Sequence, residues 1–99
     1  EGDVLTVGTA TFTVMETPGH TPGGVVLVGG GSAEGVAFVG DTLFPGSHGR
    51  TDLKGGDEAT IMASLARMTA LIAPDTTLLC GHGPATTMGR ELATNPFLR

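Results

Sequence analysis

The 99-residue sequence has one cysteine, no tryptophan, no tyrosine and four phenylalanines. Because Cys80 has no second cysteine to pair with, an intrachain disulfide framework is excluded. The few aromatic side chains leave a modest core that aliphatic residues must fill. A chain of this length buries roughly 60% of its unfolded surface, which is enough for one domain over residues 1–99.

Positive charge is also scarce, since 5 basic residues stand against 10 acidic ones and the net charge is −5. The basic residues are scattered, which argues against a nucleic-acid partner. No apolar run approaches the roughly 18 residues that a membrane span needs, and the start lacks a secretory pattern. We therefore expect no membrane partner, a small-molecule substrate and, by default, a cytoplasmic location.

What the chain has in abundance is glycine, with 17 residues, together with 6 prolines. These residues divide it into short apolar segments joined by tight turns. The pattern predicts the order β-β-β-β-α-β-α, hence an α+β fold, with a mixed β-sheet and two helices on one face. The predicted strands are 4–7, 10–16, 25–28, 35–39 and 76–80, and the predicted helices begin at Asp57 and Thr87 and end before Pro74 and Asn95.

The third and fourth predicted strands are apolar on both sides. Such strands are typical of sheets that are covered on both faces, yet the sequence predicts only two helices. We therefore expect one face to be left uncovered and to bind something outside this chain, or to cause aggregation or a homodimer.

Three single side chains follow predicted strands at glycine-rich turns: His20, Asp41 and His82. His20 stands between two Pro-Gly turns, which hold it on a rigid loop. Taken singly, each residue is more typical of an ordinary surface turn. Imidazole nitrogen and carboxylate oxygen are ligands for divalent transition metals, and strands that end at one sheet edge would bring the three together. The combination favours a metal site.

The segment 44–56 is predicted to be an irregular glycine-rich loop, where function often lies. It contributes His48, Arg50 and Asp52 as substrate-loop candidates. We expect His48 to be solvated or to line a substrate entrance, without a rigid partner. Arg50 and Asp52 are expected to hold the loop by hydrogen bonds, and Met62 and Met68 to fill the core.

Several segments together resemble the carboxy-terminal half of a metallo-β-lactamase-fold hydrolase of the glyoxalase II-like branch. They are Thr17-Pro18-Gly19-His20-Thr21-Pro22-Gly23, Gly40-Asp41-Thr42-Leu43-Phe44, Gly49-Arg50-Thr51-Asp52, Gly81-His82-Gly83-Pro84 and Asn95-Pro96-Phe97-Leu98. The resemblance implies half of a four-layer αβ/βα sandwich with two divalent metal ions, usually zinc, although iron or manganese would also fit.

By this resemblance, His20 would complete the first metal site, Asp41 would bridge both ions as the catalytic carboxylate, and His82 would serve the second. A metal-activated hydroxide would attack a carbonyl, most often that of a thioester. True β-lactamases of this fold tend to carry cysteine or serine where Asp41 stands, which favours thioester hydrolysis over lactam opening.

The family's leading His-x-His-x-Asp-His motif is absent from the sequence, so the chain alone is expected to be inactive and to need an amino-terminal half. Two alternatives stay open. One is a persulfide dioxygenase, which uses the same scaffold with one iron. The other is a catalytically inactive fold fragment or interaction module.

Overall fold

A computed structural model of the protein describes residues 2–21, 23–52, 55–81 and 83–98. Its main element is a six-stranded sheet, and a separate two-stranded hairpin and two helices complete the fold. In chain order the strands are β1 (Val4–Val7), β2 (Ala10–Glu16), β3 (Val25–Gly31), β4 (Val36–Gly40), β5 (Leu43–Phe44), β6 (Ser47–His48), β7 (Thr77–Cys80) and β8 (Thr86–Thr87); the helices are α1 (Glu58–Leu71), between β6 and β7, and α2 (Met88–Thr94), after β8.

The sheet has the order β1-β2-β3-β4-β7-β8, in which the first four strands form an antiparallel meander. β4 and β7 are parallel, and α1 lies in the connection between them, as parallel strands require. The predicted mixed sheet with two helices is therefore confirmed. The register of β4 against β7 shifts between Phe38 and Gly40, immediately before Asp41.

Helix α1 begins as its sequence predicts. The Asp57 side chain accepts a hydrogen bond from the Thr60 amide, which satisfies one of the free amides of the first turn. The helix buries Ile61, Leu65 and Met68 against the sheet. Met62 is 36% exposed, so its predicted place in the core is wrong: it lies one position after Ile61 and about 100° around the helix.

One face of the sheet is packed and the other is open. Val26, Ala37, Val39 and Leu78 are fully buried on the packed face, where both helices contribute to the core. On the opposite face Phe38 pairs with Leu27 and Leu79, yet Phe38 remains 44% exposed. The expectation of an uncovered apolar face is confirmed for this structure.

Two local predictions are wrong. The strand predicted at 25–28 continues to Gly31, because its backbone pairs with β2 as far as that residue and the hydrogen bonds of a sheet need no side chains. The segment 44–56 is not wholly irregular, since Phe44 and Leu43 pair with Ser47 and His48 in the β5–β6 hairpin. Within the described residues, neither helix is long and apolar enough to cross a membrane.

Candidate metal centre

His20 and Asp41 lie side by side at one edge of the sheet. Asp41 directly follows β4, and His20 lies in the turn between β2 and β3. The Nε2 atom of His20 is 3.8 Å from Oδ2 of Asp41, and the two side chains are 25% and 38% exposed. The fold thus places an imidazole and a carboxylate together at a site that solvent reaches.

The orientation of the His20 ring follows from its other nitrogen. Nδ1 lies 2.7 Å from the Arg50 carbonyl oxygen, which can only accept a hydrogen bond, so Nδ1 is the donor. In the neutral ring Nε2 is then an acceptor, and it faces a carboxylate, which is also an acceptor. Metal-binding histidines use this arrangement, with one nitrogen donating to a carbonyl and the other directed at the ion.

The spacing of His20 and Asp41 also fits a shared ion. Two ligand atoms that each lie about 2.1 Å from one zinc ion can be at most about 4.2 Å apart. The observed 3.8 Å between Nε2 and Oδ2 is within that limit. The donor types and their separation therefore suit a divalent metal.

The third predicted ligand, His82, lies outside the described residues, as does Pro22 of the His20 loop. Its neighbour Gly81 donates its amide to the Gly40 carbonyl at 2.8 Å, and a Cβ atom at Gly81 would lie 2.5 Å from Oδ1 of Asp41. Across the described ranges, no group of three or more metal-type side chains occurs. The three-residue cluster stays a prediction.

Gly49 packs closely against both candidate ligands. A Cβ atom at this position would collide with the Asp41 carbonyl oxygen and would lie 2.9 Å from Cβ of His20. The Gly49 amide donates to the Thr42 carbonyl at 3.1 Å, which ties the end of the hairpin to its start. Only a residue without a side chain fits this approach.

His48 is not the solvated residue that the sequence predicted. Its side chain is 9% exposed, its ring meets Phe97 edge-on at 4.4 Å, and its Nδ1 donates to the Gly49 carbonyl at 2.7 Å. Nε2 lies 3.6 Å from Oε1 of Glu58. The expectation failed because the carboxy-terminal segment packs onto the hairpin and encloses the ring, a contact between residues distant in sequence. Its substrate-loop role stays a prediction.

The predicted hydrogen bonding between Arg50 and Asp52 is confirmed. The guanidinium donates to both carboxylate oxygens, at 2.8 and 2.9 Å, and the side chains are 60% and 69% exposed. The hydrogen bond from Arg50 lowers the pKa of Asp52 below its ordinary value. The pair keeps its loop closed while leaving a charged surface beside the His20 turn.

Cys80 ends β7 and packs against the core. Burial raises the pKa of its thiol, and the negative charge of Glu91 raises it further. Because only the thiolate is a good metal ligand, this environment favours a role for Cys80 as a small hydrophobic residue.

Sequence reasoning missed a buried polar group behind the hairpin. Glu91 is 1% exposed and Asn95 is fully buried, and both bind the hairpin turn. The spacing of four residues on a short helix was visible, but charged and amide residues at such positions usually face solvent. No sequence signal placed them inside.

Comparison with known proteins agrees with this fold. Residues 1–83 match the model of the metallo-beta-lactamase superfamily. Among curated relatives, the hydroxyacylglutathione hydrolase GloC of Haemophilus influenzae is 39% identical over 98 residues. That alignment covers 99% of this chain but 45% of the relative, so the chain spans less than half of the relative's length.

Solved structures give the same result. The BLEG-1 B3 metallo-beta-lactamase is 47% identical with a TM-score of 0.85, over 99% of this chain and 46% of that one. TTHA1623 in a di-iron-bound form is 44% identical with a TM-score of 0.81, and the match covers 95% of this chain and 45% of that one. ETHE1 from Myxococcus xanthus is 31% identical with a TM-score of 0.86, and the match covers 97% of this chain and 43% of that one. By family match, sequence and fold, this chain belongs to the metallo-beta-lactamase superfamily.

Proposed function

We propose that the intact protein is a metal-dependent hydrolase of a carbonyl substrate, most favourably a thioester, and that this chain supplies His20, Asp41 and His82 to its metal centre. The observation that carries the proposal is the approach of His20 Nε2 to the Asp41 carboxylate at 3.8 Å, with Nδ1 of the same ring hydrogen-bonded to the Arg50 carbonyl. A divalent cation held by both atoms would balance the negative charge of the carboxylate.

This chain's residues would hold and orient the site. The Arg50 carbonyl fixes the His20 tautomer, and the turn after β4 directs the Asp41 carboxylate toward the imidazole. By resemblance, Asp41 would bridge two ions and His82 would bind the second. Divalent ions in such a place supply a nucleophilic hydroxide at neutral pH and polarise the carbonyl that it attacks.

The substrate class follows from Asp41 and the relatives. GloC is named as a hydroxyacylglutathione hydrolase, which supports a thioester, whereas BLEG-1 is named as a β-lactamase. An aspartate where lactam-opening enzymes tend to carry cysteine or serine favours the thioester. We therefore take a hydroxyacylglutathione-type thioester as the first substrate to test and a β-lactam as the comparison.

The chain covers about 45% of the GloC length, and we propose that it is the carboxy-terminal half of a larger domain. An amino-terminal half would add the remaining ligands and would cover the open sheet face around Phe38. Alone, the chain would bind metal weakly and turn over little substrate. A homodimer through the same face is the alternative occupant, and the sedimentation of the chain with and without that half would distinguish them.

The test is turnover and metal content of the intact protein. Wild-type protein should bind divalent metal, identified by plasma mass spectrometry, and hydrolyse the thioester faster than the lactam. Asp41→Ala should abolish turnover and lower metal content while the circular dichroism spectrum is unchanged. Glu34→Gln is the control, because Glu34 is an exposed turn carboxylate between β3 and β4.

Equal turnover and metal content in wild type and Asp41→Ala would overturn the assignment of Asp41. Faster lactam than thioester hydrolysis would overturn the substrate class. Absence of bound metal in the intact wild type would overturn the whole proposal and would favour the inactive interaction module.

A second candidate is a mononuclear iron persulfide dioxygenase. The observation in its favour is the similarity to ETHE1, at a TM-score of 0.86, together with the Gly49-Arg50-Thr51-Asp52 loop that carries the Arg50–Asp52 pair beside His20. One iron per protein with oxygen consumption on a persulfide substrate would favour this activity. Two metal ions with thioester turnover and no oxygen uptake would exclude it.

A further inference from the structure

Glu91 on α2 has a buried carboxylate that accepts hydrogen bonds from Gly46, Thr86 and Asn95. Oε1 accepts from the Gly46 amide at 2.8 Å and from Nδ2 of Asn95 at 3.0 Å. Oε2 accepts from the Thr86 hydroxyl at 2.8 Å. Burying a charge is costly unless it is compensated in this way, and one of the three compensating hydrogen bonds comes from the hairpin turn.

Asn95 extends the same contact to the other strand of the hairpin. Its fully buried amide donates to the Ser47 carbonyl at 3.1 Å and lies 3.4 Å from the Phe44 carbonyl. Its Oδ1 accepts from the Phe97 amide at 2.9 Å. Glu91 and Asn95 therefore hold the β5–β6 hairpin at its turn and at the end of each strand.

The hairpin is the direct connection between the two candidate ligands. Asp41 stands two residues before β5, and Gly49 follows β6 and packs against the Asp41 backbone and the His20 side chain. The next carbonyl, that of Arg50, accepts from Nδ1 of His20. A shift of the hairpin would move the Arg50 carbonyl that orients His20. It would also move Gly49, which packs against both His20 and Asp41.

We propose that Glu91 and Asn95 are positioning residues for the metal centre, which act through the β5–β6 hairpin to set the His20 tautomer and the His20–Asp41 separation. This inference rests on the proposed function, since the clamp formed by Glu91 and Asn95 has a role at the site only if His20 and Asp41 bind metal. The hydrogen bonds of these side chains go to the hairpin, Thr86 and Phe97, so their effect on His20 and Asp41 is indirect and should appear in metal affinity and ring orientation.

Two variants break the clamp in different ways. Glu91→Ala removes every acceptor, whereas Asn95→Asp keeps the shape but places a carboxylate beside Glu91 and opposite two carbonyls. Glu91→Gln is the conservative rescue: its oxygen keeps the Gly46 and Asn95 bonds, and its amide can donate to the Thr86 hydroxyl, which also accepts. Ile72→Ala is the matched control, because it leaves a core cavity at the far end of α1.

The first measurement uses metal-free intact protein at alkaline pH, where imidazoles are neutral. The ¹⁵N shifts of His20, assigned with His20→Gln, should show an Nδ1-protonated ring in wild type, Glu91→Gln and Ile72→Ala. Glu91→Ala and Asn95→Asp should show averaging of the two tautomers. An unchanged ring in both clamp variants would overturn the inference.

The second measurement is zinc affinity by competition with a chelating dye. Loss of groups that orient metal ligands weakens metal binding by about 10- to 100-fold, and we expect this for Glu91→Ala and Asn95→Asp. Ile72→Ala should keep the wild-type affinity for zinc even where it lowers the thermal stability as much as Glu91→Ala does. If Ile72→Ala weakens zinc binding as much as Glu91→Ala, the role is merely structural. If wild type binds no zinc, the proposed function fails while the tautomer measurement still decides the clamp.

Discussion

The hydroxyls of Thr17 and Thr42 lie 3.1 Å apart in the protein interior, although 25 residues separate them in sequence. Thr17 is fully buried and begins the segment that leads to His20, and Thr42, 4% exposed, follows Asp41. This single hydrogen bond joins the two loops that carry the candidate ligands. It therefore contributes to both stability and the spacing of the site.

Replacing Thr42 by valine should remove this hydrogen bond without changing the volume of the side chain. The Thr17 hydroxyl would then be buried without its Thr42 partner, at a cost of about 1–3 kcal/mol in the free energy of unfolding. Chemical denaturation of wild type and variant measures the difference. Thr13→Val, at an exposed strand position, is the control and should stay within about 0.5 kcal/mol.

The double variant Thr17→Val/Thr42→Val sharpens this test, because it leaves neither hydroxyl unpaired. Its destabilisation should be smaller than the sum of the two single losses. Strict additivity would show that the two hydroxyls do not interact.

Substitution of Gly49 by alanine should be destabilising because the new methyl group would collide with the Asp41 carbonyl and approach the His20 side chain. Forced contacts of this kind cost about 1–3 kcal/mol in the free energy of unfolding. Gly23→Ala is the matched control, since a Cβ atom there meets nothing within 4 Å. Thermal denaturation that ranks the two variants equally would contradict the close packing described at Gly49.

The buried carboxylate of Glu91 predicts a specific pH dependence. Burial alone raises its pKa, but hydrogen bonds from Gly46, Thr86 and Asn95 outweigh burial and bring the pKa below the ordinary value of 4.5. In this range the unfolded state binds more protons than the native state. The stabilisation is therefore present above about pH 4.5 and is lost as the pH falls through the lowered native pKa.

Denaturation of wild type and Glu91→Gln across this pH range measures that contribution. Wild type should lose stability more steeply on acidification, because the amide has no proton to gain. Parallel curves for the two proteins would contradict the lowered native pKa.

The open sheet face should make this chain self-associate when it is produced alone. Phe38→Lys places a charge on the open face, where the side chain is 44% exposed, and should reduce association. It also removes the ring contact with Phe12, at a cost of about 0.5–1.5 kcal/mol in the free energy of unfolding. Light scattering at several protein concentrations measures the self-association. Thr9→Lys, at an exposed turn, adds the same charge elsewhere and should leave association unchanged.

Much of the secondary structure could be predicted because its signals are local. The spacing of Ile61, Leu65 and Met68 identified α1, and Asp57 marked its start. The β5–β6 hairpin was not predictable, because its strands have two residues each and their contacts with Asn95 and Phe97 are distant in sequence. His48 was misjudged for the same reason.

The candidate site likewise has features that follow from local sequence and features that depend on tertiary contacts. By itself the sequence determined the types of ligand and the rigid turns that carry them, since glycine, proline and the ends of apolar runs act within a few residues. Only the tertiary structure decided that His20 and Asp41 lie 3.8 Å apart, that Gly49 packs against both, and that Glu91 is buried behind the hairpin. His20 and Asp41 are 21 residues apart in the numbering and Glu91 is 45 residues from Gly46, and sheet register and core packing bring these segments together.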